Sequence, residues 1–288
     1  YHLANFFLDK GWQVVSISTK KPIKSRKLKK VKYILCDITK KKILKKKIQK
    51  SFTYVVNLGG YVDHSNKIKT YKSHYIGCKN LIDYFVKKNP KKFVQIGSSL
   101  EYGNLPSPQK EKYKTNLNNL KSTYSIAKLK ATRYSLYNFK KKNFPIVVFR
   151  LYLTYGPLQD LNRLIPIVIN NCLKNESFNT SYGNQLRDFL YIDELVNLIF
   201  KSFNNKKING KVINVGSGKP VKIKFIINFI HNYLKKGKPI FGGLKLRKDE
   251  QLKIFPNNNL LKKYFKWSPN ISIKKGLVKT INYYKKNT

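Results

Sequence analysis

The stretch Tyr54-Val-Val-Asn-Leu-Gly-Gly60 reads as a short apolar β-strand closed by glycines. A strand that is apolar along its length, not only on alternate residues, is buried on both faces, as in a parallel sheet. Comparable runs lie on either side of it, at Trp12 to Ile17, 31–38, 92–99 and 145–157. Between them the apolar residues take helical spacing. Leu3, Phe6 and Phe7 share one face of a helix over 1–10 that Gly11 stops. Ile43, Leu44 and Ile48 recur within the lysine-rich stretch 39–50, and further helices are predicted over 76–88 and 122–142. Strand and helix in alternation predict an α/β fold with a doubly wound parallel sheet.

After Pro157 the pattern loosens. A helix near 164–174 is followed by a polar loop, NESFNTSYGNQ (175–185), and then by Asp188 to Ile192 leading into a helix from Asp193. A strand over 211–216 and helices over 223–236 and 273–286 complete the chain. The organisation expected is a first domain over 1–157, to which 187–216 returns, and a smaller C-terminal α/β domain built from 158–186 and 217–288.

At 288 residues and 41% hydrophobic, the chain has ample material for a core. No apolar run approaches the roughly 18 residues of a membrane span, and no secretory signal pattern opens the sequence. Cys36, Cys78 and Cys172 lie far apart and form neither a disulfide framework nor a zinc site, so no metal is expected. A reduced, cytoplasmic protein is the expectation. The net charge of +47 raises nucleic acid as a partner. Only Arg26, Arg133, Arg150, Arg163, Arg187 and Arg247 are arginines, however, and the remaining basic residues are lysines among many Asn, Ile, Tyr and Phe. Phosphate readers favour the planar guanidinium. The charge therefore reads as compositional background, with a basic nucleic-acid-binding protein kept as the rival class. The chain opens on Tyr1 and has no methionine, which reads as a sequence missing its natural start.

Two segments carry chemistry. In Tyr124-Ser-Ile-Ala-Lys128 the phenol and the ammonium share a helix face. A neighbouring ammonium favours the phenolate and lowers the phenol pKa toward a range useful for proton transfer. Upstream, a strand runs into Gly97-Ser-Ser-Leu-Glu-Tyr-Gly103, which sets hydroxyls at the carboxyl end of a parallel strand, where open α/β sheets bind ligands.

With these segments in place, the whole chain resembles the extended short-chain dehydrogenase/reductases, the NAD(P)-dependent nucleotide-sugar epimerase/dehydratase group. Cys36-Asp-Ile38, Asn57-Leu-Gly-Gly60, GSSLEYG, YSIAK, FRLYLTYGP, RDFLYIDE, VINVGSGKPV and KWSPNISIKKGL follow one another in the family's order. The resemblance implies a Rossmann-like sheet with NAD or NADP bound, a nucleotide-sugar substrate, and a homodimer formed through the helices at 76–88 and 122–142. It implies Tyr124 as proton carrier, Lys128 as its ribose-binding partner and Ser98 as partner of the substrate hydroxyl. Ser18, Asp37, Asn57, Gly59 and Gly60, with Tyr124 and Lys128, would line the cofactor. Ser99, Tyr155, Arg187 and Arg247 would face the substrate. Asp37 reads equally as a strand-end turn residue, and Asp193 as a helix cap.

The sequence departs from the family pattern in three places. The glycine fingerprint and the strand before it are absent, which implies weak dinucleotide binding. Leu153 and His74 stand where asparagines are usual, and His74 reads as a packing residue. Ser99 and Leu100 replace an acidic pair, with Glu101 one place late, which disfavours a 4,6-dehydratase. Ser18-Thr-Lys-Lys21 and Arg26 lean toward NADP. A 4-epimerase acting through a 4-keto intermediate is the expected activity. A 4-ketoreductase consuming NADPH is the alternative, and a dinucleotide sensor is disfavoured by the intact Ser, Tyr and Lys set.

Overall fold

The computed structural model describes residues 1–246 and 250–287. Its elements run α1 (His2–Asp9), β1 (Val14–Ser18), β2 (Val31–Leu35), α2 (Lys41–Lys47), β3 (Tyr54–Asn57), α3 (Lys67–Tyr71), α4 (Gly77–Val86) and β4 (Lys92–Ser98). They continue with α5 (Thr123–Lys142), β5 (Ile146–Leu151), β6 (Leu153–Tyr155), α6 (Leu164–Leu173), β7 (Ser177–Thr180), β8 (Leu186–Arg187) and β9 (Phe189–Tyr191). The last third holds α7 (Ile192–Phe203), β10 (Val212–Val215), β11 (Val221–Lys222), α8 (Ile223–Leu234), β12 (Lys238–Phe241), β13 (Lys253–Ile254), α9 (Asn259–Phe265) and α10 (Ile273–Asn287).

The central ladder is parallel throughout, in the order β10-β5-β4-β3, and β1 pairs with β2 as a second parallel ladder. Side chains alternate across the strands and feed two cores. Val94, Ile96, Val147, Phe149, Ile213 and Val215 meet Phe7 of α1, Leu195, Leu198 and Ile199 of α7 and Leu261 of α9 on one face. Phe93 and Ile146 meet Leu44 of α2, Cys78, Ile82 and Phe85 of α4 and Ala131 of α5 on the other. Helices on both faces explain why β4 and β5 are apolar without alternation. This is the Rossmann-like doubly wound α/β fold. A third core joins α6, α8 and α10 through Ile169, Ile226, Ile230, Leu277 and Ile281.

Three predicted elements differ. The helix expected over 76–88 begins nine residues earlier. Asn66 caps α3, accepting the Lys69 N–H, and a π-helical segment, Lys72–Ile76, joins α3 to α4. The strand expected over 145–157 breaks at Tyr152. β5 stays in the central ladder, whereas β6 pairs with β9. The loop expected over 175–185 holds β7, which turns Phe178 and Thr180 inward and pairs with β12. Among the described residues no helix is long and apolar enough to cross a membrane.

Candidate active site

The carboxyl end of β4 is shaped by one carboxylate. Ser98 caps the short turn Ser99–Tyr102, its Oγ accepting the Leu100 N–H at 3.2 Å. Glu101 folds back so that Oε1 accepts the Ser98 N–H at 2.8 Å. A Cβ at Gly97 would lie 2.5 Å from that oxygen, so this return needs glycine. Glu101 Oε2 accepts Thr132 Oγ1 of α5 and Arg150 Nε of β5, each at 2.8 Å. The Arg150 guanidinium lies 4.5 Å from the Tyr102 ring centre. Glu101 is therefore a brace between strand end, helix and sheet, and is not available as a catalytic acid.

Ser122 starts α5 by accepting the Ser125 N–H, which sets Tyr124 in the first turn and Lys128 one turn on. The Tyr124 phenol lies beside Ser98, whose hydrogen bonding favours the phenolate. Lys128 is buried, and its Nζ donates to the Ile96 carbonyl at 2.8 Å and lies 5.8 Å from the Tyr124 ring centre. Burial pushes the Tyr124 phenol up, and Glu101 adds to the rise. The Ser98 bond and the positive Arg163 oppose it. The sequence reading assigned a lowering to Lys128, but desolvation outweighs the opposing influences. Burial also lowers Lys128, with Glu101 pulling it back.

Ser18 stands at the exposed end of β1, its Oγ donating to the Lys20 carbonyl. Asp37 accepts the Thr39 N–H at 2.9 Å and its Oγ1 at 2.7 Å, so its contacts are those of a turn residue. Asn57 is buried, donating to Gln95 Oε1 at 2.7 Å and accepting the Gly59 N–H at 3.0 Å. A Cβ at Gly60 would fall 1.8 Å from His74 Cε1. Ser99 is buried in the turn after Ser98. Around the start of α1, Tyr1, His2, Arg26, Gln159, Asp160 and Arg163 line a cavity of about 350 Å³.

Several expected roles are not supported by the contacts. Tyr155 belongs to the third core, its hydroxyl donating to the Ile273 carbonyl at 3.2 Å, because β6 leaves the central ladder before reaching it. Arg187 is buried against Glu250 and also donates to the Leu186 carbonyl, so an anion would have to displace Glu250. Arg247 lies outside the described residues. Arg26 pairs with Asp160 at 2.9 Å and is turned to the cavity. Asp193 is in the first turn of α7, which Tyr191 precedes as N-cap, so it complements the helix dipole without capping.

Sequence reasoning missed His64 and Arg163. Neither sits in a periodic segment, and both reach Tyr124 only through the fold. His74 packs as expected, pressed on Gly60, but it also meets the Tyr124 ring.

Burial and the nearby Lys128 charge hold the His74 pKa down to about 4, against an ordinary 6.5. The unfolded chain therefore binds a proton that the folded chain refuses as pH falls below 6.5. Stability is lost progressively between pH 6.5 and 4, by roughly 2–3 kcal/mol at the lower end. His74→Asn should flatten that part of the pH–stability curve, measured by urea unfolding at stepwise pH.

A family model described as the NAD dependent epimerase/dehydratase family matches residues 1–216. The chain is 28% identical over 218 residues to the UDP-glucuronate 4-epimerase of Thermodesulfobacterium geofontis, covering 75% of this chain and 66% of that protein. It is 29% identical over 160 residues to the CDP-abequose synthase of Salmonella typhimurium, covering 54% and 53% respectively. The matches span 46% to 66% of the length of the first curated relatives. In fold, the chain is similar to UDP-glucose 4-epimerase of Thermotoga maritima crystallised with UDP-glucose. The TM-score is 0.91 at 19% identity, over 99% of this chain and 95% of that one.

Proposed function

The chain belongs to the NAD dependent epimerase/dehydratase family, and from that membership we propose that it is a nucleotide-sugar 4-epimerase working through a 4-keto intermediate. The observation that carries the reading is Tyr124 in the first turn of α5, beside Ser98 at the carboxyl end of β4 and with Lys128 Nζ 5.8 Å from its ring centre. The family uses NAD or NADP, and the residues fit such a group. Arg26 and Arg163 line a cavity at the start of α1 and would meet the cofactor phosphates there, with Asp160 paired to Arg26 beside them. Gly59 and Gly60 close the end of β3 against Asn57 and the His74 ring. When bound, the nicotinamide supplies hydride transfer at the sugar carbon.

The chain's own residues handle the proton. Ser98 orients the sugar hydroxyl, and Tyr124, once ionised against the burial that raises its pKa, takes the hydroxyl proton on its phenolate Oη as the carbinol becomes a ketone. Tyr124 returns that proton once the ketone has presented its other face. Lys128, held by the Ile96 carbonyl with its Nζ 5.8 Å from the phenol ring centre, would bind the cofactor ribose and favour the phenolate. Arg187, on exchanging Glu250, and Arg247 would grip the substrate pyrophosphate.

A second reading, reduction of a nucleotide-4-keto sugar by NADPH, is favoured by the raised Tyr124 pKa. A phenol that rests protonated is ready to donate to a keto oxygen. The two readings separate when the chain is incubated with UDP-sugars or 4-keto-deoxy sugars and followed by proton NMR and absorbance at 340 nm. Epimer without net cofactor change supports the first, and stoichiometric NADPH oxidation supports the second. Neither product from either substrate class would refute both.

We also propose a homodimer through the helices over 67–86 and α5. Their outer side carries Tyr71, Tyr75 and Tyr134, with Lys130 and Lys79 over the rings. Sedimentation equilibrium should give twice the chain mass at micromolar concentration. A Tyr71→Glu, Tyr75→Glu variant should give the single mass.

A further inference from the structure

The site holds one side chain that the proton-transfer reading leaves without a role. His64 lies on the irregular segment 58–66 between β3 and α3 and is itself exposed. Its ring nevertheless lies face to face on Tyr124, with centroids 4.1 Å apart and planes 21° from parallel. His74 meets the same phenol edge-on, at 4.8 Å and 89°. The two imidazoles are 5.7 Å from one another. The half-buried phenol is thus held on one face and one edge.

The segment that carries His64 is fastened close to it. Gly60 lies against the His74 ring, where a Cβ would not fit. The Tyr61 carbonyl accepts His74 Nε2–H at 3.1 Å, and the Tyr61 N–H donates to Ser73 Oγ at 2.9 Å. Ser73 and His74 both belong to the π-helical segment over 72–76, where the irregular turn brings them to the loop. Asp63 then accepts the Ser65 N–H at 3.1 Å, folding the chain around His64.

We propose that His64 is a positioning residue for Tyr124, resting on the proposed role of that phenol. Tyr124 sits in the first turn of α5 and is only half-buried, so its outer face has little else to restrain it. A stacked ring on that face fixes the phenol torsions and keeps Oη against Ser98, where the substrate hydroxyl is received. Without the stack the ring swings toward solvent, and the proton carrier is misplaced in a site that still binds substrate.

Two measurements test this. Nitration by tetranitromethane, mapped by peptide mass spectrometry, needs no substrate. Tyr137 and Tyr182, 52% and 67% exposed, serve as internal references. In His64→Ala, Tyr124 should be nitrated at least about three-fold faster than in the wild type, and His64→Phe should keep the wild-type rate. On a nucleotide sugar that the wild type turns over, His64→Ala should lose about ten-fold in kcat with KM within about two-fold, and His64→Phe should restore most of the loss. Unchanged nitration in His64→Ala overturns the proposal. So does a raised kcat in His64→Ala, because His64 would then be a cover that the substrate must displace. If nitration responds as expected but no nucleotide sugar is turned over, the proposed activity fails and the positioning of Tyr124 by His64 stands.

Discussion

Tyr124→Phe should lower kcat by about two to four orders of magnitude, equivalent to roughly 3–5 kcal/mol at the transition state, and should leave the melting temperature and KM close to wild type. The substitution removes one oxygen. The ring that remains still stacks on His64 and meets His74 edge-on, so local packing is preserved. What is lost is the hydroxyl beside Ser98 that is proposed to carry the proton. Neither Lys128 nor Glu101 is free to take over that task. Lys128 is turned to the Ile96 carbonyl, and both Glu101 oxygens are engaged by Ser98, Thr132 and Arg150. Steady-state kinetics on the substrate identified by NMR measures the effect. Full activity in Tyr124→Phe removes the proton-carrier role. The rival, a basic nucleic-acid binder, predicts the reverse pattern: binding indifferent to Tyr124→Phe but falling linearly in log–log plots against salt.

The parts of this site that the sequence discloses are those held together by local geometry. Tyr124 and Lys128 share a helix face by spacing alone, and Ser98 follows from a strand that runs into a turn. The apolar strands over 54–57, 92–98 and 146–151 are legible because burial on both faces removes alternation. Lysine obscured the rest. In the helix over 67–86, lysines at 67, 69 and 72 hide the apolar stripe, and the predicted start slid forward to 76. Tyr155 looked like a site residue because FRLYLTYGP resembles the family's strand. The chain changes sheets at Tyr152, however, and the ring is carried into another core. His64 approaches Tyr124 only after β3, the π-helical segment and α5 have packed, and no pattern within 58–66 records that meeting. Arg163 is equally silent, since its charge reaches Tyr124 across the fold.

Glu101 is the clearest case of a residue whose meaning changed, and it carries the largest expected effect on stability. In sequence it stood one place late for a catalytic acid. In the structure it is fully buried and pairs with Arg150, which is 4% exposed. Replacing one member of such a pair leaves the other as an uncompensated buried charge, which costs about 3–5 kcal/mol. Arg150 has few other resources, since its guanidinium otherwise faces the Tyr102 ring. Glu101→Ala should therefore lower the melting temperature by roughly 10 °C for a chain of this size, measured by calorimetry. It should also reduce kcat, because the Ser98 N–H loses its acceptor and the turn that aims Ser98 loosens. The two consequences come apart in Glu101→Leu, Arg150→Met. Apolar groups of similar volume in place of a buried ion pair are often neutral or stabilising, so most of the lost melting temperature returns. The Ser98 N–H still has no carboxylate to bond, so kcat stays low. Recovery of kcat together with stability would mean that Glu101 serves only the fold. Recovery of stability alone assigns it both tasks, with the site depending on the one oxygen that holds the end of β4 in place.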